Sequence, residues 1–442
     1  WGKVMAWDLG GNMANEITRA IASAYVSPDL VEEMFPPYPD RHPYIIPPNS
    51  PAEDGVQAAV RASNDLPPGV TDVLVDAFTA VKAVNELTGG SVSDAVGSNS
   101  WVVSGDHTPT GAPILVNDPH LGIRMPSIWY QVGLHCRVVN EDCPFDVAGF
   151  SFAGMPGVVI GHNADIAWAF TNVGPDVQDL YIEKINPANP NQYEYMGEWV
   201  DMEVTTEILE VGGGESEELT IRRTSHGPII SGVYGPLDEV DPDALDFPEE
   251  YAIALRWTGL EPGTSLIAPL IALNTASNFE EFREGALLFD VPSQNMLYAD
   301  TEGNIGYQVP GLIPIRTEGD GRYPVPGWTG ASEWEGYIAK DDLPWVLNPE
   351  SGWIVTANNA VIDESYPHLL TYDWSYGYRA QRAVDLLVSN LGMGVEGHQI
   401  MQFDSFDLNA DFALPYVFDA VEASGVDLSD REQAALDALT AW

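Results

Sequence analysis

At Ser98 the chain changes from one folding pattern to another, and that switch limits which folds are open to it. Upstream, residues 71–88 (TDVLVDAFTAVKAVNELT) place apolar side chains at helical spacing, and Gly89-Gly90 ends the helix this predicts. Residues 27–70 begin SPDLVEEMFPPYPDRHPYIIPPNSP; proline at that density breaks helices and central strands, so they read as loop or linker. Residues 1–26 read as a turn at Gly10-Gly11-Asn12 leading into a helix. Downstream, short β-branched or aromatic runs separated by Gly, Pro and Asn predict strands at 100–103, 113–117, 128–138, 145–152, 157–160 and 166–171. Residues 204–224 alternate like a hairpin pair, 275–290 look helical, and strands resume at 296–299 and 305–309. Residues 378–391 and 410–424 look helical again. Runs of strands followed by runs of helices predict a layered α+β fold, with no internal repeat.

The junction itself reads Gly97-Ser98-Asn99-Ser100-Trp101, and Asn117-Asp118-Pro119-His120, from the end of the next predicted strand, places a histidine 22 residues after Ser98. A serine needs a base to act as a nucleophile. No Gly-x-Ser-x-Gly elbow surrounds Ser98, so a lipase-type turn does not supply one. Cutting the chain before Ser98 would: the new α-amine has an ordinary pKa near ~8, suited to a general base. Glycine at 97 adds no side-chain bulk to the bond that would be cut. Taken alone, a serine beside Gly and Asn is usually a turn residue.

Its surroundings change that. GSNSWVVSG (97–105), GAPILVNDPHLG (111–122) and PGVVIGHNADIAWAFTNVGPDVQDLY (156–181) occur in order. TSHGPII (224–230), QNMLYADTEGNIGY (294–307), RYPVPGW (322–328), NPESGWIVTANN (348–359), YRAQR (378–382) and MQFD (401–404) follow. In these motifs and their order, from about Trp1 to Asp411, the chain resembles the penicillin acylase family of N-terminal nucleophile hydrolases.

The resemblance implies a four-layer αββα sandwich and an amidohydrolase that splits a linear amide between an apolar acyl group and an amine. It implies self-cleavage at Gly97–Ser98. Residues 1–26 would then be the end of an α chain, 27–97 its tail and a removable spacer, and 98–442 a β chain. It implies Ser98 as nucleophile, with His120 holding the new amine. Asn295 Nδ2 and the Asn172 N–H would be the oxyanion donors, and Arg316 would support Asn295, with Arg322 as its rival. The acyl pocket would be lined by Met13, Leu121, Ile160 and Phe170; Phe170, in place of a small residue, would favour short aliphatic acyl groups over phenylacetyl. Glu16, Asp176, Gln178 through its carbonyl, and Asp179 would bind a structural Ca²⁺, an ion suited to carboxylate-plus-carbonyl turns. No organic cofactor is implied. An N-acyl-homoserine lactone acylase is the alternative within the class, a non-catalytic calcium-stabilised binding protein the alternative outside it. A glycosidase would need a facing carboxylate pair, and none stands out among so many acids.

Composition adds the environment. The chain has 442 residues, 45% hydrophobic, with 66 acidic against 18 basic residues and a net charge of -48. The acids are spread along the chain. Such a surface repels itself in dilute salt and is screened in concentrated salt, which points to a salt-rich setting. Binding to a phosphate backbone needs clustered Lys and Arg, so nucleic acid is excluded as a partner. No run reaches the ~20 apolar residues of a membrane span. The start at Trp1, without Met or signal peptide, is what a piece of a longer precursor would show; the resemblance favours an exported protein. Cys136 and Cys143 have hairpin spacing, so a disulfide and two free thiols both remain open, and a zinc site lacks further ligands.

Overall fold

A computed structural model of the chain describes residues 2–10, 12–47, 70–71, 74–75, 97–122, 125–231 and 251–441. The predicted helix at 71–88 lies largely outside the described residues. The first strands are β1 (Gly97–Val103), β2 (Ile114–His120), β3 (Trp129–His135), β4 (Asp146–Phe152), β5 (Ile160–His162), β6 (Ile166–Asn172) and β7 (Gln178–Asn186). After them come β8 (Tyr251–Trp257), β9 (Gln294–Asp300), β10 (Ile305–Gln308), β11 (Trp345–Leu347) and β12 (Trp353–Thr356). Strands β2-β1-β12 form one antiparallel sheet; β11-β10-β9-β6-β5-β4-β3 form a second.

Period-two alternation builds the layers. In β1, Val102 points into a core it shares with Ala169, Leu297, Tyr307 and Ile354, so that core lies between the two sheets. Trp101 and Val103 point the other way and pack with Val355 and Leu387. Leu387 belongs to a helix, Tyr378–Ser389, which covers the small sheet with the helix Val395–Gln402. On the far side, Trp168, Met296 and Tyr298 of the large sheet meet Leu270, Leu273 and Phe282 of the helices Ile267–Thr275 and Phe279–Leu287. The stack is helix, sheet, sheet, helix: an α+β four-layer sandwich.

The predicted helix at 275–290 is present as Phe279–Leu287, with Asn278 capping it by accepting the Glu281 N–H. A helix just before it, Ile267–Thr275 (IAPLIALNT), was not predicted: it is apolar nearly all round and so shows no helical stripe. The N-terminal segment is two helices, α1 (Gly2–Leu9) and α2 (Met13–Tyr25).

Residues 27–47 are not featureless linker. Pro28 opens a short helix, Pro28–Met34, as proline at a first helical position can. Ile45 and Ile46 are buried in the inter-sheet core, and their N–H groups donate to the Ala360 and Val361 carbonyls at 3.0 and 2.8 Å. The 204–224 hairpin is present as Glu203–Leu209 paired with Glu217–Thr224. Cys136 and Cys143 form a disulfide, which resolves the pair left open by spacing alone.

Candidate active site

Ser98 lies at the end of β1 on the face turned toward the large sheet, the same face as Ser100 and Val102. Its Oγ accepts the Asn172 N–H from the end of β6 at 3.2 Å. A second donor, Asn358 Nδ2, reaches the same Oγ at 3.3 Å. The chain is uncut here, so the Ser98 nitrogen is a peptide amide, and its N–H donates to Asn358 Oδ1 at 2.9 Å.

Asn295, the expected side-chain donor, does not face Ser98. It is fully buried between the sheets, in register with Thr171. Its Nδ2 donates to Thr171 Oγ1 at 3.0 Å and to the Asn172 carbonyl at 3.1 Å, while Tyr307 donates to its Oδ1 at 2.5 Å. The amide is spent on the inter-sheet core; Asn358 holds the position expected of it.

Arg316 does not support an oxyanion donor either. Its guanidinium bonds Asp176 and Asp179 and makes no hydrogen bond to Ser98, Asn172 or Asn295. Arg322 pairs with Asp320. The arginine beside the serine is Arg379, whose Nη1 donates to the Ser98 carbonyl at 3.1 Å and to Asn99 Oδ1 at 2.8 Å. Its Nη2 donates to Asn358 Oδ1 at 2.9 Å. Among the described residues no carboxylate pairs with it, and burial lowers its pKa from the ordinary value. Gly97 fits this crowding: a Cβ there would lie 3.0 Å from Arg379 Nη2 and 3.2 Å from Asn358 Oδ1.

His120 is in register with Gly97 across β1 and β2, so its side chain shares the face of Gly97 and Asn99, opposite Ser98. Its Nε2 meets Asp118 at 3.0 Å, and it lines a separate cleft with Asn99, Tyr378 and Arg382. In the uncut chain, then, the groups that meet the Ser98 amide and hydroxyl are Asn358 and Asn172, not His120.

Beside Ser98 opens a cavity of about 320 Å³, within the range of small-molecule sites. Leu121, Ile160 and Phe170 line it as expected, with Trp129, Phe152 and Leu270. Met13 does not: it packs with Ala6 and Ile17 in the core beneath α1 and α2, and Met5 of α1 is the methionine on the wall. Phe170 stands edge-on to Phe289 at 6.3 Å, narrowing one side of the cavity without closing it.

Glu16, Asp176, Gln178 and Asp179 do come together, but their oxygens are largely taken. Asp176 Oδ1 accepts from Asn12 Nδ2 at 2.8 Å and from Arg316 at 2.7 Å. Both Asp179 oxygens accept from Arg316, at 2.8 and 2.9 Å, and the Trp334 indole donates to one of them. The Gln178 carbonyl, the expected ligand, accepts from Asn12 Nδ2 at 3.1 Å. Glu16 accepts the Leu180 N–H at 3.2 Å. Burial first, then the neighbouring Asp179 and Asp176, hold its carboxyl well above the usual range. Among the described residues no three acidic, histidine or cysteine side chains converge to hold a metal. The residues present do not fit Ca²⁺.

The penicillin amidase family model matches residues 1–442. The chain belongs to the penicillin amidase family. It is similar to penicillin acylase 2 proenzyme of Pseudomonas sp. (strain SE83), 31% identical over 85% of this chain and 47% of that protein. It is similar to acyl-homoserine lactone acylase QuiP of Pseudomonas aeruginosa, 28% identical over 99% of this chain and 50% of that protein. Among solved structures it resembles a thermostable penicillin G acylase from Alcaligenes faecalis, with a TM-score of 0.63, 30% identity, and coverage of 78% of this chain and 59% of that one. The chain spans about half the length of these curated relatives. Family and structural likeness together place the fold among the N-terminal nucleophile hydrolases.

Proposed function

We propose that this chain carries the nucleophile, oxyanion donors and acyl pocket of an N-terminal serine amidohydrolase. The observation that supports this reading best is that two N–H donors, from Asn172 and Asn358, meet on Ser98 Oγ at the neck of an apolar cavity.

In the activating step, Ser98 Oγ attacks the Gly97 carbonyl carbon. The Oγ–C bond forms, the C–N bond breaks, and the nitrogen leaves as an amine. Water then hydrolyses the ester, giving a Gly97 carboxylate and a free Ser98 hydroxyl. In turnover the Ser98 amine takes the hydroxyl proton, directly or through one water, as Oγ attacks a substrate amide. Asn358 Nδ2 and the Asn172 N–H stabilise the tetrahedral oxyanion. The buried Arg379 cation, bonded among the described residues to neutral oxygens only, favours negative charge nearby. The amine product leaves with the proton, and water hydrolyses the acyl-enzyme.

The substrate is a small N-acyl amide whose acyl group is apolar, since the cavity walls are Leu121, Trp129, Ile160, Phe170 and Leu270. Asp373 is the one carboxylate among the described lining residues, and it is bound by Arg19, which leaves no carboxylate pair for glycoside chemistry. After cutting, α1 and α2 stay with the β chain through a shared core that includes Ile17, Leu180 and Ile253.

Ser98→Ala tests the reading. Mass spectrometry of the expressed chain should show one uncut, inactive polypeptide, whereas the unaltered chain is cut before Ser98. A Ser98→Ala chain cut at the same place would overturn it. Hydrolysis of p-nitroanilides and acyl-homoserine lactones of graded acyl length then gives the acyl preference, and Phe170→Ser should move it toward phenylacetyl.

A further inference from the structure

The family resemblance puts a divalent cation where α2 meets the 176–179 turn, and the structure puts an arginine there. We propose that Arg316 is a built-in substitute for that cation, so that this chain joins its N-terminal helices to the nucleophile-bearing sheets without calcium.

The geometry is that of a guanidinium cradle. Arg316 Nε and Nη2 take the two Asp179 oxygens in a fork at 2.8 and 2.9 Å, and Nη2 also reaches Asp176 Oδ1 at 2.7 Å and the Asp176 carbonyl at 3.2 Å. A fork of fixed planar donors is the arrangement arginine offers to carboxylates and lysine cannot. All three side chains are buried, at 6%, 3% and 7% exposure. A calcium ion needs 6–8 oxygens with free lone pairs at roughly 2.3–2.6 Å, and most of the oxygens expected to serve it, both of Asp179, Asp176 Oδ1 and the Gln178 carbonyl, already accept N–H bonds. Asn12, just before α2, completes the joint: its Nδ2 spans Asp176 Oδ1 and the Gln178 carbonyl. Gly321 allows the close approach, because a Cβ there would fall 2.1 Å from Asp176 Oδ2.

Three buried acceptors nearby have no partner: Asn12 Oδ1, Glu16 Oε1 and Gln178 Oε1. With the guanidinium removed, these oxygens and the freed carboxylates form an oxygen-rich cradle of the kind calcium takes. The exchange should therefore be reversible by one substitution.

The test is metal content and melting temperature at fixed high ionic strength, on the full chain. The unaltered protein should carry substoichiometric calcium after purification and melt at the same temperature in EGTA and in millimolar CaCl₂. Arg316→Ala should melt several degrees lower in EGTA and recover part of that loss in CaCl₂, but not in MgCl₂, which demands tighter octahedral geometry. Arg316→Lys should keep the charge, lose the fork and melt in between without a calcium response. About one tightly held calcium in the unaltered protein, or a lower melting temperature in EGTA, would overturn the proposal. So would an Arg316→Ala protein that melts like the parent or does not answer to calcium. If Arg316→Ala does not fold, the two measurements on the unaltered protein still decide.

Discussion

Asn358 is held by contacts that leave its amide one orientation. Its Oδ1 accepts from the Ser98 N–H and from Arg379, while its Nδ2 donates to Ser98 Oγ and, at 2.7 Å, to the Asn172 carbonyl. Its backbone is left-handed, with φ 62°, a conformation Asn tolerates better than most side chains. Asn358→Gly removes the amide without backbone strain. It should either block cutting or lower kcat by about 10²–10³, the usual loss for one oxyanion donor. Its melting temperature should stay near the parent's. Asn295→Leu should do the reverse, lowering the melting temperature because it strands the Tyr307 hydroxyl and Thr171, with kcat per folded molecule much less affected. Turnover like the parent's in Asn358→Gly would reject the assignment. That Ser98, Asn172, Leu121, Ile160 and Phe170 meet at one cavity was legible in the sequence, because the order of motifs fixes their places. Asn358 and Arg379 sit inside legible motifs too, NPESGWIVTANN and YRAQR, yet their place beside Ser98 was not. It depends on β12 pairing beside β1 across a separation of 260 residues, which no local pattern reports. Asn295 misled because its neighbour across the β6–β9 ladder, Thr171, lies one residue from Asn172, whose N–H reaches Ser98 Oγ.

At the scale of elements, β1 to β4, β6 and the hairpin after them were readable from alternation and turn residues, whereas the strand expected at 157–160 lies later, at Ile160–His162. The proline-dense stretch was not readable, because proline forbids regular structure without saying whether a segment docks. Residues 38–46 dock closely around Asn358 and Arg379. Asn359 donates to the Pro43 carbonyl at 2.8 Å, Tyr38 donates to the same carbonyl at 2.7 Å, and the His42 ring meets the Tyr376 carbonyl. With Ile45 and Ile46 buried beside residues 360–361, this segment holds both the loop that carries Asn358 and the start of the helix that carries Arg379. A spacer excised from within it would take that support away. The mature α chain should therefore end after Ile46. Intact-mass measurement of the two chains checks this, and an α chain ending before Tyr38 would show that the strap is dispensable. A second buried polar group explains the TSHGPII motif as structural: His226 bridges Glu183 at 2.8 Å and Glu333 at 2.9 Å and stacks on Tyr181.

For the whole molecule, the arginines do their pairing locally. Arg19, Arg256, Arg316, Arg322 and Arg382 each bond a specific carboxylate. With 66 acids against 18 basic residues, pairing of this kind cannot neutralise the surface, and most of the charge of -48 faces solvent as repulsion. Screening is the remaining remedy. The Debye length falls from about 10 Å at 0.1 M salt to about 3 Å at 1 M, so exposed charges farther apart than that are largely screened. Folding brings these charges together and unfolding spreads them apart, so screening favours the folded state. The melting temperature should rise steeply between 0.1 M and 2 M KCl and then flatten as screening saturates. Buried pairs such as Arg316 with Asp179 respond little to salt, so the rise should persist in Arg316→Lys. Sucrose strengthens apolar burial by exclusion but screens nothing; at matched osmolarity it should reproduce only a small part of the effect. A melting temperature flat in KCl, or one that sucrose raises equally, would reject adaptation to high salt and leave the serine chemistry untouched.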